Sequence, residues 1–573
     1  ASTPLMTFYS IPAPVFVSNI APSALGVAGL TSNDVSSIAV RKGFGSDPSV
    51  LAAAIISSPK SNVGYVIFLN AGTGALLGST PVGAVPDHIA FSPDGTKLLV
   101  ANEGELDGAA VVVSTDTTVG SVSIISVPAV ITGLPTSLTT TTADFTGFDS
   151  QAASLTAAGV RIFAGGKPST DFEPEYFAIS ADGTKAMVTL QEANAVAVLD
   201  IASATFTSVV PLGKKNFSTG RHDFSDRDGA GASNLVNPTT GNPVFGLYMP
   251  DAIASFSSAG QTYYVTANEG DDRNDFLNPD ETTTVGNAVY DLDNTVFPNE
   301  LALKNQASLG RLTVSNAPGL RGDTDGDGDI DEILSYGGRS FTILNSAGAI
   351  VFDSGDMIEN IIASQFLANF DDTRSDNKGP EPEGVTIANF GGRTYAFVGL
   401  ERSHMVLAFD VTNPLAVTYT GGFKRTGDLN PEGLVVVPAA DSPSGKALLL
   451  VASEVSNTLT IHGLTSDTFA TWLGSNGYTS TGIDTDTDKD GLTDRMEFFF
   501  NQNPNNGGDL GNLPKLVPNG VSRACPRAGP RFHPPHRYRF HHRRAHDLQR
   551  PHHLDLGVVR RRLHRGLLGG YRR

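Results

Sequence analysis

Ten carboxylates stand at matching points of a recurring phrase. Pro380-Glu381-Pro382-Glu383-Gly384-Val385 opens a short apolar run, a turn follows, and Ala396-Phe397-Val398-Gly399-Leu400-Glu401 closes it. The phrase returns from Pro86-Asp87 to Asn102-Glu103, from Pro174-Glu175 to Gln191-Glu192, from Pro250-Asp251 to Asn268-Glu269 and from Pro431-Glu432 to Ser453-Glu454. Each copy reads as two strands joined by a hairpin. A hairpin returns the chain, so the start of its first strand and the end of its second lie at one end. Proline suits the first strand position, where a missing N–H costs least. With the copies arranged about an axis, Asp87, Glu103, Glu175, Glu192, Asp251, Glu269, Glu383, Glu401, Glu432 and Glu454 form a ring at one mouth. Carboxylates so crowded are either partly protonated or gathered round hard cations. The plainer alternative is that each acid accepts backbone N–H bonds and fixes its own turn.

Two further acidic runs have calcium-loop spacing. Asp486-x-Asp488-x-Asp490-Gly491-x-x-Asp494-x-x-Glu497 places oxygens at loop positions 1, 3, 5 and 9, Gly at 6 and a Glu at 12. Calcium takes six to eight oxygens, and a bidentate Glu closes such a shell. The run Asp323, Asp325, Asp327, Gly328, Asp329, Asp331 repeats the start of this pattern, but Leu334 stands at position 12. Near the ring, Arg402 and Arg273 follow Glu401 and Glu269, and His222 sits in a long polar insertion at 213–248. Such cations beside a metal suit a phosphate or carboxylate substrate. Glu383, Glu401, Arg402, His222 and Arg273 are therefore the catalytic candidates. His88 and His404 are further neighbours of the ring. No Ser-His-Asp set follows from spacing alone, and the Gly pairs lie in hairpin turns rather than phosphate loops.

The elements that position these groups are strands. Val, Ile, Thr and Phe recur in short runs between Gly-rich turns, the pattern of an all-β chain. Four-stranded repeats of about 40–50 residues predict a β-propeller with loop insertions. Repeats beginning at Val35, Pro86, Pro174, Pro250, Arg339, Pro382 and Pro431 make seven blades; six is the alternative, because the first and fifth are weak. The propeller domain is expected over 1–465, the Asp-rich calcium repeat and linker over 466–510, and a linker with a disordered Arg/His tail over 511–573.

The 573 residues carry a net charge of −19, which argues against nucleic acid and anionic membranes. From Arg523 onward there are 14 Arg, eight of the 12 His and two acids; without those 14 Arg and two acids, 26 basic and 57 acidic residues remain, a net −31. That tail has the composition of a non-native reading frame. The single Cys525 lies in it, so the body holds no disulfide, thiolate zinc site or cysteine nucleophile. No run of 18 apolar residues predicts a transmembrane helix. An acidic, cysteine-free, Asp-Gly-rich chain that begins at Ala1 suits an exported bacterial protein, secreted or at the cell surface and monomeric, with calcium ions as partners.

PDHIAFSPDGTKLLVANEGE, FEPEYFAIS, SDRDG, YMPDAIA, YVTANEGD, GDTDGDGDIDE, GPEPEGVTI, GGRTYAFVGLER and PEGL together resemble the bacterial choice-of-anchor I family over about residues 30–465. That family looks related to mesenchyme-specific cell-surface glycoproteins, and some members are named alkaline phosphatases. A looser similarity runs to calcium-dependent PhoX-type phosphatases, which hold calcium and iron on carboxylates of a propeller channel. The resemblance implies Glu175, Glu269, Glu383 and Glu401 as preferred ligands, and calcium with a transition metal such as iron as cofactors. A PhoX-type cysteine ligand has no counterpart, since the body holds no cysteine. Residues 484–505 resemble a thrombospondin type 3-like calcium repeat. Two functions follow: an extracellular metal-dependent phosphatase acting on small phosphoesters, or a non-catalytic calcium-binding surface or matrix protein. A lactonase-type calcium propeller is a distant third.

Overall fold

The computed structural model describes residues 6–464 apart from 11–14, 44–47, 106–117, 129–137, 275–279 and 443; beyond 464 it describes only 478–479, 485, 487–489, 494 and 505–506. The fold is mostly β. Six antiparallel meanders follow one another along the chain. The first is Asp34–Arg41, Val50–Ile56, Val63–Asn70 and Leu76–Ala84. The second is Pro86–Phe91, Lys97–Asn102, Ser121–Ser126 and Thr140–Asp144, and the third is Pro174–Ile179, Lys185–Leu190, Ala195–Asp200 and Thr205–Pro211. The fourth joins Ile253–Ser258 and Gln261–Asn268 to Ser340–Asn345 and Ile350–Asp353. The fifth is Pro382–Phe390, Arg393–Leu400, Met405–Asp410 and Thr418–Phe423. The sixth has three strands among the described residues: Pro431–Val437, Ala447–Ser453 and Thr458–Leu464.

One expectation needs correction here. The strands at 339–353 are not a fifth repeat of their own. They are the outer half of the fourth, separated from its inner half by a long insertion, and Tyr263–Asn268 pairs directly with Ser340–Asn345. A break of about 70 residues hides a single meander from any reading of sequential spacing. The count of repeats therefore falls from seven to six. The inserted segments make a separate five-stranded sheet in the order Lys214–Asn216, Val244–Leu247, Ile333–Tyr336, Thr313–Ser315, Thr282–Thr284, with the second and third parallel.

The opening strands of successive sheets lie side by side, first against second and so on to the sixth. The core lies between the sheets. Leu98 and Val100 pack on the first sheet, while Leu99 and Ala101 in the same strand pack on the third. Likewise Val196 and Val198 face the fourth sheet, while Ala195, Ala197 and Leu199 face the second. Successive side chains point to opposite faces, and both faces are covered, so the middle strands are mostly buried on both sides. Lys42, after the first strand of the first sheet, pairs with Asp441 in the first turn of the sixth.

Candidate metal centre

The opening of each repeat is a built device. In four repeats the residue before the strand proline or Pro-acid has a positive φ without being glycine: Val85 at 48°, Met249 at 45°, Glu381 at 48° and Asn430 at 56°. Such backbone is costly for L-residues and gathers at functional sites. In four sheets the ladder then slips directly after the opening proline, at Pro86, Pro174, Pro382 and Pro431. A bulge re-aims a side chain, and the re-aimed residue is the acid: Asp87, Glu175, Glu383 or Glu432. The closing Glu is tied to the same spot. The Glu103, Glu401 and Glu454 amides donate to the carbonyls of Val85, Glu381 and Asn430.

Six of the ten acids meet in groups of three, with Glu173 and Glu381 added to them. Oxygens of Asp87, Glu103 and Glu175 lie within 4.8 Å of one another, as do those of Glu173, Glu175 and Glu192, and those of Glu269, Glu381 and Glu401. Gln191 Nε2 donates to Glu269 Oε2 at 3.0 Å and joins the two sides. Asp87, Glu103, Glu175, Glu192, Asp251, Glu383, Glu401 and Glu432 are buried. Glu454 is half-buried, fixed through its backbone.

Charge divides this cluster into two kinds of site. Glu381 is fully buried yet paired with Arg374 (2.5 Å), Arg402 (3.1 Å) and Lys378 (4.0 Å). Burial opposes its ionisation, but Lys378, Arg374 and Arg402 outweigh burial and hold its pKa below the usual range. Glu383, two residues on, lacks such pairs among the described residues. Burial pushes its pKa well up, and Glu401, Glu269, Glu432 and Asp251 push it further. Its Oε2 is buried without a hydrogen-bond donor. Glu401 is raised to about 8, by burial and then by Glu381, although Arg402 and Lys378 act against the rise. Glu401 is aimed by Asn430 Nδ2 at 2.9 Å and by Arg402 at 2.9 Å. Gly384 brings the fifth and sixth sheets together: a Cβ there would stand 2.3 Å from the Glu432 carbonyl oxygen. The negative charge around Glu383 is what a cation would balance. Every donor named is oxygen, which suits a hard cation such as calcium.

Two catalytic candidates are held in buried pairings. Arg273 is buried in ion pairs with Asp171 (2.8 Å) and Glu173 (3.5 Å), its guanidinium 4.8 Å from the Phe163 ring centre. It thereby reaches Glu173, a member of the second carboxylate group. His222 is enclosed within its insertion. It is 1% exposed, paired with Glu359 and set edge-on to Phe217 at 4.5 Å, because its insertion folds into a core of its own around Phe217 and Phe224. His88 is likewise a packing residue, stacked 4.2 Å from Tyr176. His404 Nδ1 accepts the Asn430 amide at 3.1 Å. Arg402, one-third exposed, stays at the cluster. The sequence analysis passed over Glu381, Glu173, Arg374 and Lys378; Glu381 and Glu173 carried a signal, each the first Glu of a Glu-Pro-Glu that opens a strand.

The first Asp loop forms two groups within 4.8 Å, Asp323 with Asp325 and Asp331, and Asp329 with Asp331 and Asp293. Asp293 is distant in sequence and brings the carboxylate that position 12 lacks. Asp327 borders Asp329, whose amide it accepts at 3.2 Å. The Thr324 amide donates to Asp331 at 2.6 Å, and the Thr487 amide donates to Asp494 at 2.8 Å in the second loop. The same position-2 to position-9 bond in both supports one loop design. Asp488 and Asp494 are described; Asp486, Asp490, Glu497 and the tail lie outside the described residues.

The choice-of-anchor I domain profile matches residues 9–414. The chain belongs to that family. Among curated relatives, this choice-of-anchor I chain is 29% identical over 192 residues to Gigasin-3a of Magallana gigas, covering 28% of this chain and 66% of that one. It is 26% identical over 241 residues to the mesenchyme-specific cell surface glycoprotein of Strongylocentrotus purpuratus, covering 35% of this chain and 30% of that one. Among solved structures, hydrazine synthase of Kuenenia stuttgartiensis aligns at a TM-score of 0.40 and 13% identity, over 80% of this chain and 90% of that one. The periplasmic gluconolactonase PpgL of Pseudomonas aeruginosa aligns at 0.36 and 14%, over 80% and 91%. No described helix is long and apolar enough to cross a membrane.

Proposed function

We propose that this choice-of-anchor I protein is a cell-surface protein that binds divalent cations, its six meanders forming a six-bladed β-propeller with the carboxylate cluster at one mouth. The observation that carries the reading is Glu383: a buried carboxylate with a donorless Oε2, facing the charges of Glu401, Glu269, Glu432 and Asp251. Burying such a group without a counter-charge is costly, and a calcium ion offsets the cost with oxygen coordination alone. The surface location is supported by the printed name of the sea-urchin relative. Metal analysis after dialysis tests it. Wild type is expected to retain calcium that Glu383→Gln loses; equal calcium in both would refute the assignment.

Arg402 favours a second reading, hydrolysis of phosphoesters. It pairs with both Glu381 and Glu401 while one-third exposed. A bound divalent cation supplies Lewis acidity and eases deprotonation of water. The chain's own contribution would be positional: Gln191 and Asn430 orient Glu269 and Glu401, and Arg402 holds phosphoryl oxygens at the rim. Calcium-loaded protein is assayed on monoesters and diesters with Arg402→Met as control. Turnover abolished by chelator and reduced on the order of 10²-fold by the mutation supports hydrolysis. No turnover with full metal loading leaves the binding protein.

A further inference from the structure

The turns that follow the closing strands of three sheets are built to one plan. Leu190, Leu400 and Ser453 pair with the strand prolines Pro174, Pro382 and Pro431. Four residues further on, each chain reaches a left-handed residue that is not glycine: Asn194 at φ 50°, His404 at 52° and Asn457 at 51°. Each donates its amide to the carbonyl three residues back, on Gln191, Glu401 and Glu454. Asparagine and histidine both tolerate this backbone better than most side chains.

Two of these side chains reach the next sheet and meet it at the same point. Asn194 Oδ1 accepts the Met249 amide at 3.0 Å. His404 Nδ1 accepts the Asn430 amide at 3.1 Å. Met249 and Asn430 are the positive-φ residues that open their repeats, so in both places a strained backbone is pinned by an acceptor from the sheet before it. The amide can only donate, so Nδ1 accepts, and its 3.0 Å approach to the Glu401 carbonyl oxygen is a contact rather than a bond.

The bond from His404 has a further consequence at the carboxylate cluster. Asn430 is 6% exposed, and its Nδ2 donates to Glu401 Oε1 at 2.9 Å. Contacts therefore run from Glu401 through its turn to His404, across to Asn430 and back to the Glu401 carboxylate. We propose that His404 is a positioning residue of the cation centre: by holding the Asn430 backbone it sets the carboxamide that aims Glu401. The proposal rests on the reading of the cluster, Glu401 included, as a cation centre. Removing a group that orients a ligand typically costs about 10–100-fold in metal affinity.

Calcium titration of the whole chain, together with hydrogen exchange of the peptide holding Asn430 in chelator, tests the role. His404→Gly accepts the left-handed backbone and removes the acceptor. Calcium affinity should fall about 10–100-fold, and the Asn430 amide should exchange faster. His404→Asn supplies the acceptor that Asn194 uses, with Oδ1 as far along the side chain as Nδ1, and should bring both readouts back to wild type. A packing role for the imidazole would not be rescued by the smaller side chain. Asn430→Gly removes the carboxamide and keeps the amide, and should show the same loss of affinity without any change at His404. Wild-type affinity in His404→Gly or in Asn430→Gly, or failure of His404→Asn to recover what His404→Gly loses, overturns the positioning role. A wild type that binds no calcium, with the exchange pattern as expected, instead overturns the cation reading on which the role rests.

Discussion

Arg339→Met is expected to loosen both the insertion and the segment that feeds the central cluster. Arg339 is buried at 1% exposure, 4.3 Å from the Phe224 ring centre. Its guanidinium bonds Glu359 at 3.2 Å, the Ser375 carbonyl at 2.7 Å, the Asn377 carbonyl at 2.8 Å and the Asp223 carbonyl. Methionine keeps the stem and removes every donor. Glu359 is then left with His222 as its buried side-chain partner, and three carbonyls lose a donor. Breaking a buried pair by removing one partner costs about 3–5 kcal/mol. Unfolding entropy of about 2.1 cal/mol/K per residue over the unit Asn19–Asp467 comes to roughly 1 kcal/mol per kelvin, so the midpoint should fall by about 3–5 °C. Arg339→Lys should recover only part, since a single ammonium cannot span the fork of acceptors. Adding Glu359→Gln to Arg339→Met should be milder than Arg339→Met alone, because the stranded charge goes too. Thermal melts of the four proteins are the assay. A midpoint of Arg339→Met within about 1 °C of wild type, or a double mutant no milder than the single, refutes the reasoning.

Three further outcomes are expected. Calcium at 100 times its dissociation constant should stabilise wild type by about 2.7 kcal/mol per site, and Glu383→Gln should lose one site's share in calorimetric titration. Gly384→Ala should cost about 1–3 kcal/mol, as the added Cβ meets the Glu432 carbonyl, and should weaken calcium binding through the displaced sixth sheet; unchanged affinity and stability would count against the close approach. His462 has its pKa held below 6.5, by burial first and then by Arg425, against Asp428. The unfolded chain therefore binds the proton more readily. His462's contribution is complete above pH 6.5 and lost as the pH falls from there, so wild type minus His462→Gln stability should shrink on acidification.

The sequence by itself determined that the chain is β, that five proline-led hairpins put acid beside acid, and that two Asp loops share one spacing. Local rules suffice for these, because a hairpin's ends meet whatever surrounds it, and an alternating or doubly apolar strand announces its covered faces. Sequence could not distinguish seven repeats from six, since strand pairing across the insertion between Asn268 and Ser340 is a contact between distant segments. Nor could it assign the cations. Arg273 and Arg402 each follow a ring Glu closely, yet the first is buried between Asp171 and Glu173 while the second, one-third exposed, pairs with Glu381 and Glu401. Asp293 joining the first Asp loop is likewise a long-range meeting. Which carboxylates are neutralised and which, like Glu383, are left without a donor depends on the three-dimensional neighbourhood of each charge, and only the tertiary structure decides that.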